Sequence, residues 1–305
     1  MSSPNPESDD IAVPEVGTSS TTEEVIRWTF ASSTQRLMAH EAGVLMGVDA
    51  EGVHQARVSV RRLRSASRTY RSMLDPGWRD ELRRELGWLG VALGAVRDLD
   101  VLEGRVRGHA ELLPAADGSG VPEVLDRLQV RRQTARARLL SAMEEPRYAT
   151  LIDTLVAAAA RPPVLADVAD AKATTAMREA MQAPWAHLKK ACDGLGPRSA
   201  DAELHEARIR AKRVRYAAEA LVPVFGRGAR RFARRAGSLQ EVLGRHQDAV
   251  MTMAWLHDET DDARAPVAFT AGMLAGIEAN VRDEARLAWP ESWADLRRKR
   301  LRFWE

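Results

Sequence analysis

The stretch VHQARVSVRRLRSASRTYRSML, residues 53–74, decides how the chain is read. His54, Arg57, Arg61, Arg64, Arg68 and Arg71 follow one another at steps of three and four, which puts them in one row along a helix. An apolar row runs beside it, formed by Val53, Ala56, Val60, Leu63, Tyr70 and Leu74. The stretch holds six arginines and no Asp or Glu. Like charges one turn apart cost a helix about 0.2–0.5 kcal/mol per pair, and nothing within this helix offsets them. Acids on neighbouring helices or a bound polyanion must do so.

The pattern occurs twice. LHEARIRAKRVRYA starts at Leu204, 151 residues after VHQARVSVRRLRSA at Val53, and aligns His54 with His205, Arg57 with Arg208, Arg61 with Lys212, Arg62 with Arg213 and Arg64 with Arg215. A second match lies some forty residues on, at an offset of 150. LGAVRDLD at 93–100 falls on LGRHQDAV at 243–250, pairing Leu93, Gly94 and Asp98 with Leu243, Gly244 and Asp248. One solvated charged stripe is commonplace; two with the same spacing point to a shared purpose. Past Arg215 the second row turns to Glu219 and Val222 where the first has Arg68 and Arg71.

Outward from these blocks the apolar spacing is helical nearly throughout, and β-branched alternation is almost absent. Helical patterns cover about 21–47, 51–74, 78–112 (with a break expected near Gly94 or Asp100), 122–142, 146–160, 173–192, 202–222, 226–257, 262–288 and 291–303. The separators are Asp75-Pro76-Gly77, the PAADGSGVP loop at 114–122, Arg161-Pro162-Pro163, Gly194-Leu195-Gly196-Pro197, Pro223, DETDD at 258–262 and Pro290. The expectation is an all-α fold of two pseudo-twofold-related helical bundles of four-helix type. Its parts are a disordered polar tail at 1–20, a first bundle at 21–160, a linker at 161–172 and a second bundle at 173–305.

Composition narrows the function. The chain has 305 residues, 45% of them hydrophobic and 29% charged, with a net charge of +2. A globally basic coat is therefore not indicated, although only five of the 45 basic residues are lysines. Cys192 is the single cysteine, which excludes a disulfide framework and a cysteine-based zinc site. The first 20 residues lack the basic and apolar regions of a signal peptide, and no apolar run approaches a membrane span. A cytoplasmic protein is expected.

These blocks resemble the CHAD domain, the conserved histidine α-helical domain, over roughly 23–305. The resemblance implies two four-helix bundles around a basic channel that binds inorganic polyphosphate. It carries that role onto His54, Arg57, Arg61, Arg62 and Arg64 in the first half, and onto His205, Arg208, Lys212, Arg213 and Arg215 in the second. Arg68 extends the first row, and Arg97 and His246 lie in the matched second blocks. Polyphosphate is thus the expected partner, with granule localisation and granule proteins as further expectations. Arginine's planar fork suits phosphate oxygens. A polyphosphate chain has no bases, so stacking aromatics are unnecessary, whereas single-strand nucleic-acid sites interleave them with charge. A nucleic-acid-binding helical protein using the same groove is the alternative.

No catalytic role, cofactor or metal is expected. The histidines stand among arginines that repel a cation, and His205-Glu206 lacks a second histidine at zincin spacing. The chain has no phosphate-binding glycine loop, and no ExExK motif of the triphosphatase domains that accompany CHAD domains. A histidine that merely packs between helices remains an alternative for His54. Asp98 and Asp248 read as residues that orient the arginines, and the eight scattered tryptophans as packing. The basic segment LRRKRLR at 296–302, flanked by Trp293, Phe303 and Trp304, is expected to dock on the bundle, with a second basic patch as the alternative.

Overall fold

The computed structural model describes residues 11–47, 50–196, 198–260 and 262–305. The protein is all-α, and among the described residues extended pairing is limited to two isolated bridges, Thr21 with Lys172 and Leu74 with Val164. The first half holds α1 (Thr22–Ala39), α2 (Glu41–Met46), α3 (Ala50–Thr69), α4 (Pro76–Ala110), α5 (Val121–Glu144) and α6 (Pro146–Ala160). Two short helices, α7 (Ala166–Ala169) and α8 (Ala173–Ala176), lead into the second half. That half holds α9 (Gln182–Asp193), α10 (Asp201–Ala220), α11 (Val222–Thr260) and α12 (Ala265–Leu296).

Local chemistry sets the ends. Thr21 and Glu24 form a capping box on α1, the Thr21 hydroxyl accepting from the Glu24 amide and the Glu24 carboxylate from the Thr21 amide at 2.9 Å. Asp75 caps α4 by accepting from the Trp78 amide at 2.8 Å, with Pro76 in the first turn, where no amide is needed. The α11 helix kinks at Gly226, whose φ of 55° suits glycine.

Several expected boundaries differ. The α4 helix runs unbroken past Gly94 and Asp100, because the Asp100 carboxylate turns to Arg132 of α5 at 2.6 Å instead of competing for backbone. The segment expected as one helix over 21–47 breaks at His40, and 173–192 is a short helix, a 3-10 turn and α9. Pro290 lies inside α12 rather than ending it. An interior proline costs about 3 kcal/mol; the burial of Trp289 and Trp293 on either side outweighs that.

The segments expected as tail and linker are partly built into the fold. Ile11 is buried in the core and Val13 and Val16 pack against it; residues 1–10 lie outside the described residues. The 161–172 segment is strapped at both ends. The Leu165 amide donates to the Met73 carbonyl at 2.8 Å, the Thr22 amide to the Ala171 carbonyl at 2.9 Å and the Ala173 amide to the Ser20 carbonyl at 3.0 Å.

One continuous core links the halves, taking in Phe30, Leu63 and Leu86 from the first and Val214, Phe232 and Leu239 from the second. A smaller cluster joins the far ends of α4 and α5 to those of α11 and α12 through Leu102, Val106, Leu128, Leu256 and Leu274. There Glu278 is fully buried, hydrogen-bonded by Arg105, with His109 Nδ1 at 3.2 Å. Among the described residues the halves meet at the packing of α3 on α10 and again at this distal cluster, with α4 and α11 reaching from one to the other.

Candidate functional site

The arginine rows lie where α3 meets α4 and where α10 meets α11, and glycines make room for them. A Cβ added at Gly94 would lie 3.9 Å from the Arg57 guanidinium; one at Gly244 would lie 3.7 Å from Arg208 Nε. Arg64 lies likewise over Gly87 and Gly90, and Arg215 over Gly237. Gly87 and Gly94 are two helical turns apart, as are Gly237 and Gly244, so both wall helices place glycines under the row; between them α4 has Gly90, and α11 has Gln240. The carboxylates beyond the glycines hold the same arginines. Arg57 Nη1 is 2.8 Å from Asp98 Oδ1, and Arg208 Nη2 is 3.6 Å from Asp248 Oδ1. Asp98 and Asp248 therefore orient arginines, as expected from the repeat.

The two rows converge around Lys212 and Tyr216. The Arg61 guanidinium sits 4.9 Å from the centroid of the buried Tyr216 ring, and Arg215 sits 5.8 Å from it. Burial, then the charges of Arg208, Arg61 and Arg57, pull the Lys212 ammonium down to about 8. Burial lowers Arg61 and Arg208 as well. The Nε atoms of both are buried with no hydrogen-bond partner among the described residues. Beside them a groove of about 770 Å³ opens along α10 and α11, lined by Arg208, Arg215, Arg230, Arg234 and Arg245 among others and by no aromatic residue. Arg230, Arg234 and Arg245 were not singled out in the sequence, although 227–235 reads RGARRFARR.

The other expected residues divide. His54 is half-buried at the edge of the first row, and burial, then Arg97, Arg61 and Arg57, hold its pKa below the usual imidazole value. His205 is fixed, its Nδ1 donating to Gln247 Oε1 at 2.6 Å. Arg62 turns toward α1, sharing a cleft with Arg36, Tyr216 and Glu219. Arg68 and Arg213 face a separate cleft of about 380 Å³, with Arg71 and Arg210. Burial, then Arg213, Arg83, Arg64 and Arg210, bring Arg68 down to about 10.

His246 does not join the rows. It is 1% exposed, with Nε2 2.9 Å from Asp201 Oδ1 but out of hydrogen-bond alignment, and Asp201 is also held by Arg286. The 150-residue offset explains this: His246 falls on Val96, a core position, and it is Gln247 that falls on Arg97. Among the described residues no group of three or more His, Cys, Asp or Glu side chains could hold a metal, and no helix is long and apolar enough to cross a membrane.

The chain is thus an all-α protein whose paired basic rows lie over glycines of the helices behind them. The chain belongs to the CHAD domain family, whose model matches residues 29–257. It is 32% identical over 254 residues to two uncharacterized Mycobacterium tuberculosis proteins, MT2285 and Rv2226. The match covers 77% of this chain and 46% of theirs, so the chain spans about half the length of the curated relatives it matches. The crystal structure of the CHAD domain from the plant Ricinus communis superposes with a TM-score of 0.74 at 28% identity, covering 94% of this chain and 96% of that one. PptA from Streptomyces chartreusis shares the fold, with a TM-score of 0.74 at 21% identity over 90% of this chain and all of that one. Family membership supports a polyphosphate-related role in general.

Proposed function

We propose that the chain binds inorganic polyphosphate, without converting it, where the basic rows of its two halves meet and along the groove beside them. In this reading the halves are the two related bundles, 21–160 and 173–305, and the bound polymer brings the protein to polyphosphate granules in the cytoplasm. The observation that supports it is the meeting of Arg57 and Arg61 from one half with Arg208, Lys212 and Arg215 from the other, five cations set against Asp98, Asp248 and Glu219. Packing these charges together lowers stability, and a string of phosphates reverses the penalty with charge-assisted hydrogen bonds. The groove lining holds no aromatic, and Tyr216 is buried, so a base has nothing to stack on.

Fluorescence anisotropy with long-chain polyphosphate tests this. Log affinity is expected to fall steeply with log salt, as for any ligand held by neutralised phosphates, and polyphosphate is expected to stay bound against excess single-stranded DNA and RNA. A salt-independent affinity removes the basic rows as the site. Displacement by nucleic acid replaces polyphosphate with the alternative ligand.

A further inference from the structure

A second basic cavity, of about 460 Å³, lies between α11 and the C-terminal segment. Arg231, Arg234 and Arg235 line it from α11, and Arg298 and Arg300 from the segment after α12. The segment is docked firmly. Leu301 and Trp304 are buried, and Trp304 packs edge-on against Phe232 with ring centroids 4.9 Å apart. The Arg231 guanidinium also donates to the Arg300 carbonyl at 3.0 Å. Docking therefore does not use up the basic character of 296–302; it holds two of its arginines against three from α11. The one acid in the lining, Asp295, is shared by Arg235 and Arg298.

This cavity continues the groove. Arg234 and Ser238 line both. The path from Gly244 to Arg231 follows thirteen residues of α11, or roughly 20 Å. A flexible polyanion leaving the groove beside Arg234 meets a second set of arginines already fixed in place. Two linked contacts reinforce each other because the second binds intramolecularly, and a ligand too short to reach both gains nothing.

We propose that the C-terminal arginine cavity is a second contact site for the same polyphosphate chain, and that it makes the protein favour long chains over short ones. This rests on polyphosphate binding in the groove.

The test compares long-chain polyphosphate with tripolyphosphate on the full chain. The triple variant Arg235→Gln, Arg298→Gln, Arg300→Gln is expected to lose about tenfold in affinity for the long chain and to show a shallower salt dependence, with tripolyphosphate binding unchanged. Tryptophan fluorescence reports whether the segment stays docked. A second variant, Asp295→Asn, keeps every arginine and frees two of them; it is expected to tighten long-chain binding severalfold and leave tripolyphosphate alone. The proposal is overturned if neither variant changes long-chain affinity, or if each changes both ligands equally. It is overturned also if the triple variant loses affinity for a single-stranded oligonucleotide but not for polyphosphate. Failure of the unaltered protein to bind polyphosphate of either length overturns the groove reading itself, a result distinct from all of these.

Discussion

The two halves set arginines on glycines in the same way and differ in what else touches those arginines. In the first half, Arg64 lies over Gly87 and Gly90, exposed and without a hydrogen-bond or ion-pair partner among the described residues. In the second, Gln240 stands where the first has Gly90, and Arg215 is held by Glu219 at 2.7 Å and by Gln240 at 3.4 Å. His54 faces the repelling Arg97, whereas His205 is anchored by the matching Gln247. The second row is also deeper, with Arg208 18% exposed against 30% for Arg57. The two halves share the way the charges are displayed and differ in how those charges are compensated. In the first row Arg57 is held by Asp98 while Arg64 has no such partner among the described residues; in the second both Arg208 and Arg215 face an acid.

The largest effect that sharpens this comparison is a split between two triple variants. Arg57→Gln, Arg61→Gln, Arg64→Gln is expected to weaken polyphosphate binding by at least about a hundredfold, as several charge-assisted hydrogen bonds are lost. Arg208→Gln, Lys212→Gln, Arg215→Gln is expected to cost less, because Arg215 is already occupied by Glu219. Thermal stability without ligand should hold or rise in the first variant, since relief of repulsion exceeds the loss of the exposed Arg57–Asp98 pair, worth about 0–1 kcal/mol. Exposed Arg138, Arg161 and Arg178 make the matched control. Full affinity in either triple variant breaks the idea of a shared groove.

Next come the glycines. Leu at Gly94 or Gly244 is expected to push Arg57 or Arg208 off the wall and cost about tenfold in binding, with circular dichroism unchanged. Ala at the same sites meets only ordinary van der Waals contact and should raise the melting temperature, by up to about 1 kcal/mol in stability, from helix propensity alone. Loss of binding in the Ala variants would mean that the glycines serve something other than room for arginines.

Protonation separates Lys212 from its counterpart Arg61. In the folded protein Lys212 has its pKa lowered to about 8 from 10.5. The unfolded chain therefore binds more protons between those values, and ligand-free stability should rise with pH across that window. Below about pH 8 the lysine is charged in both states and its penalty is fully present. A polyanion favours the charged form, so binding near pH 8.5 should take up a proton, read by calorimetry in buffers of different ionisation enthalpy. Lys212→Arg is expected to abolish the uptake. The smallest effect concerns the orienting acids. Asp98→Asn should tighten binding a few-fold and Asp248→Asn less, because the Arg57–Asp98 contact is the shorter of the two; the reverse order would contradict the contrast between halves.

The sequence made much of this legible. The step of three and four places the rows, and the repeat at 151 and 150 pairs the helices that carry them. Other features escaped for physical reasons. Helix propensity sees Pro290 as a stop, but not the two buried tryptophans that carry α12 through it. Ile11 in a polar stretch gives no local sign that the core has a place for it. His246 attracted notice as a histidine beside a matched aspartate, although the offset sets it on Val96. The paired glycines were visible at seven-residue spacing in both halves, yet a glycine inside a helix reads as a weakness until an arginine is seen lying across it.

The distal cluster has a kinetic consequence. The α4 and α11 helices, the walls behind the rows, are pinned near the α3–α10 packing and again where Glu278 is buried between Arg105 and His109. Walls fixed at both ends do not swing apart, so the proposed polyphosphate binding calls for no opening step. Association is then set by diffusion in the field of the exposed arginines, and added salt slows arrival first. If the proposed function holds, a long anionic chain is captured at any point along its length and slides to its seat, because each repeat unit presents the same charges to a site that is already assembled.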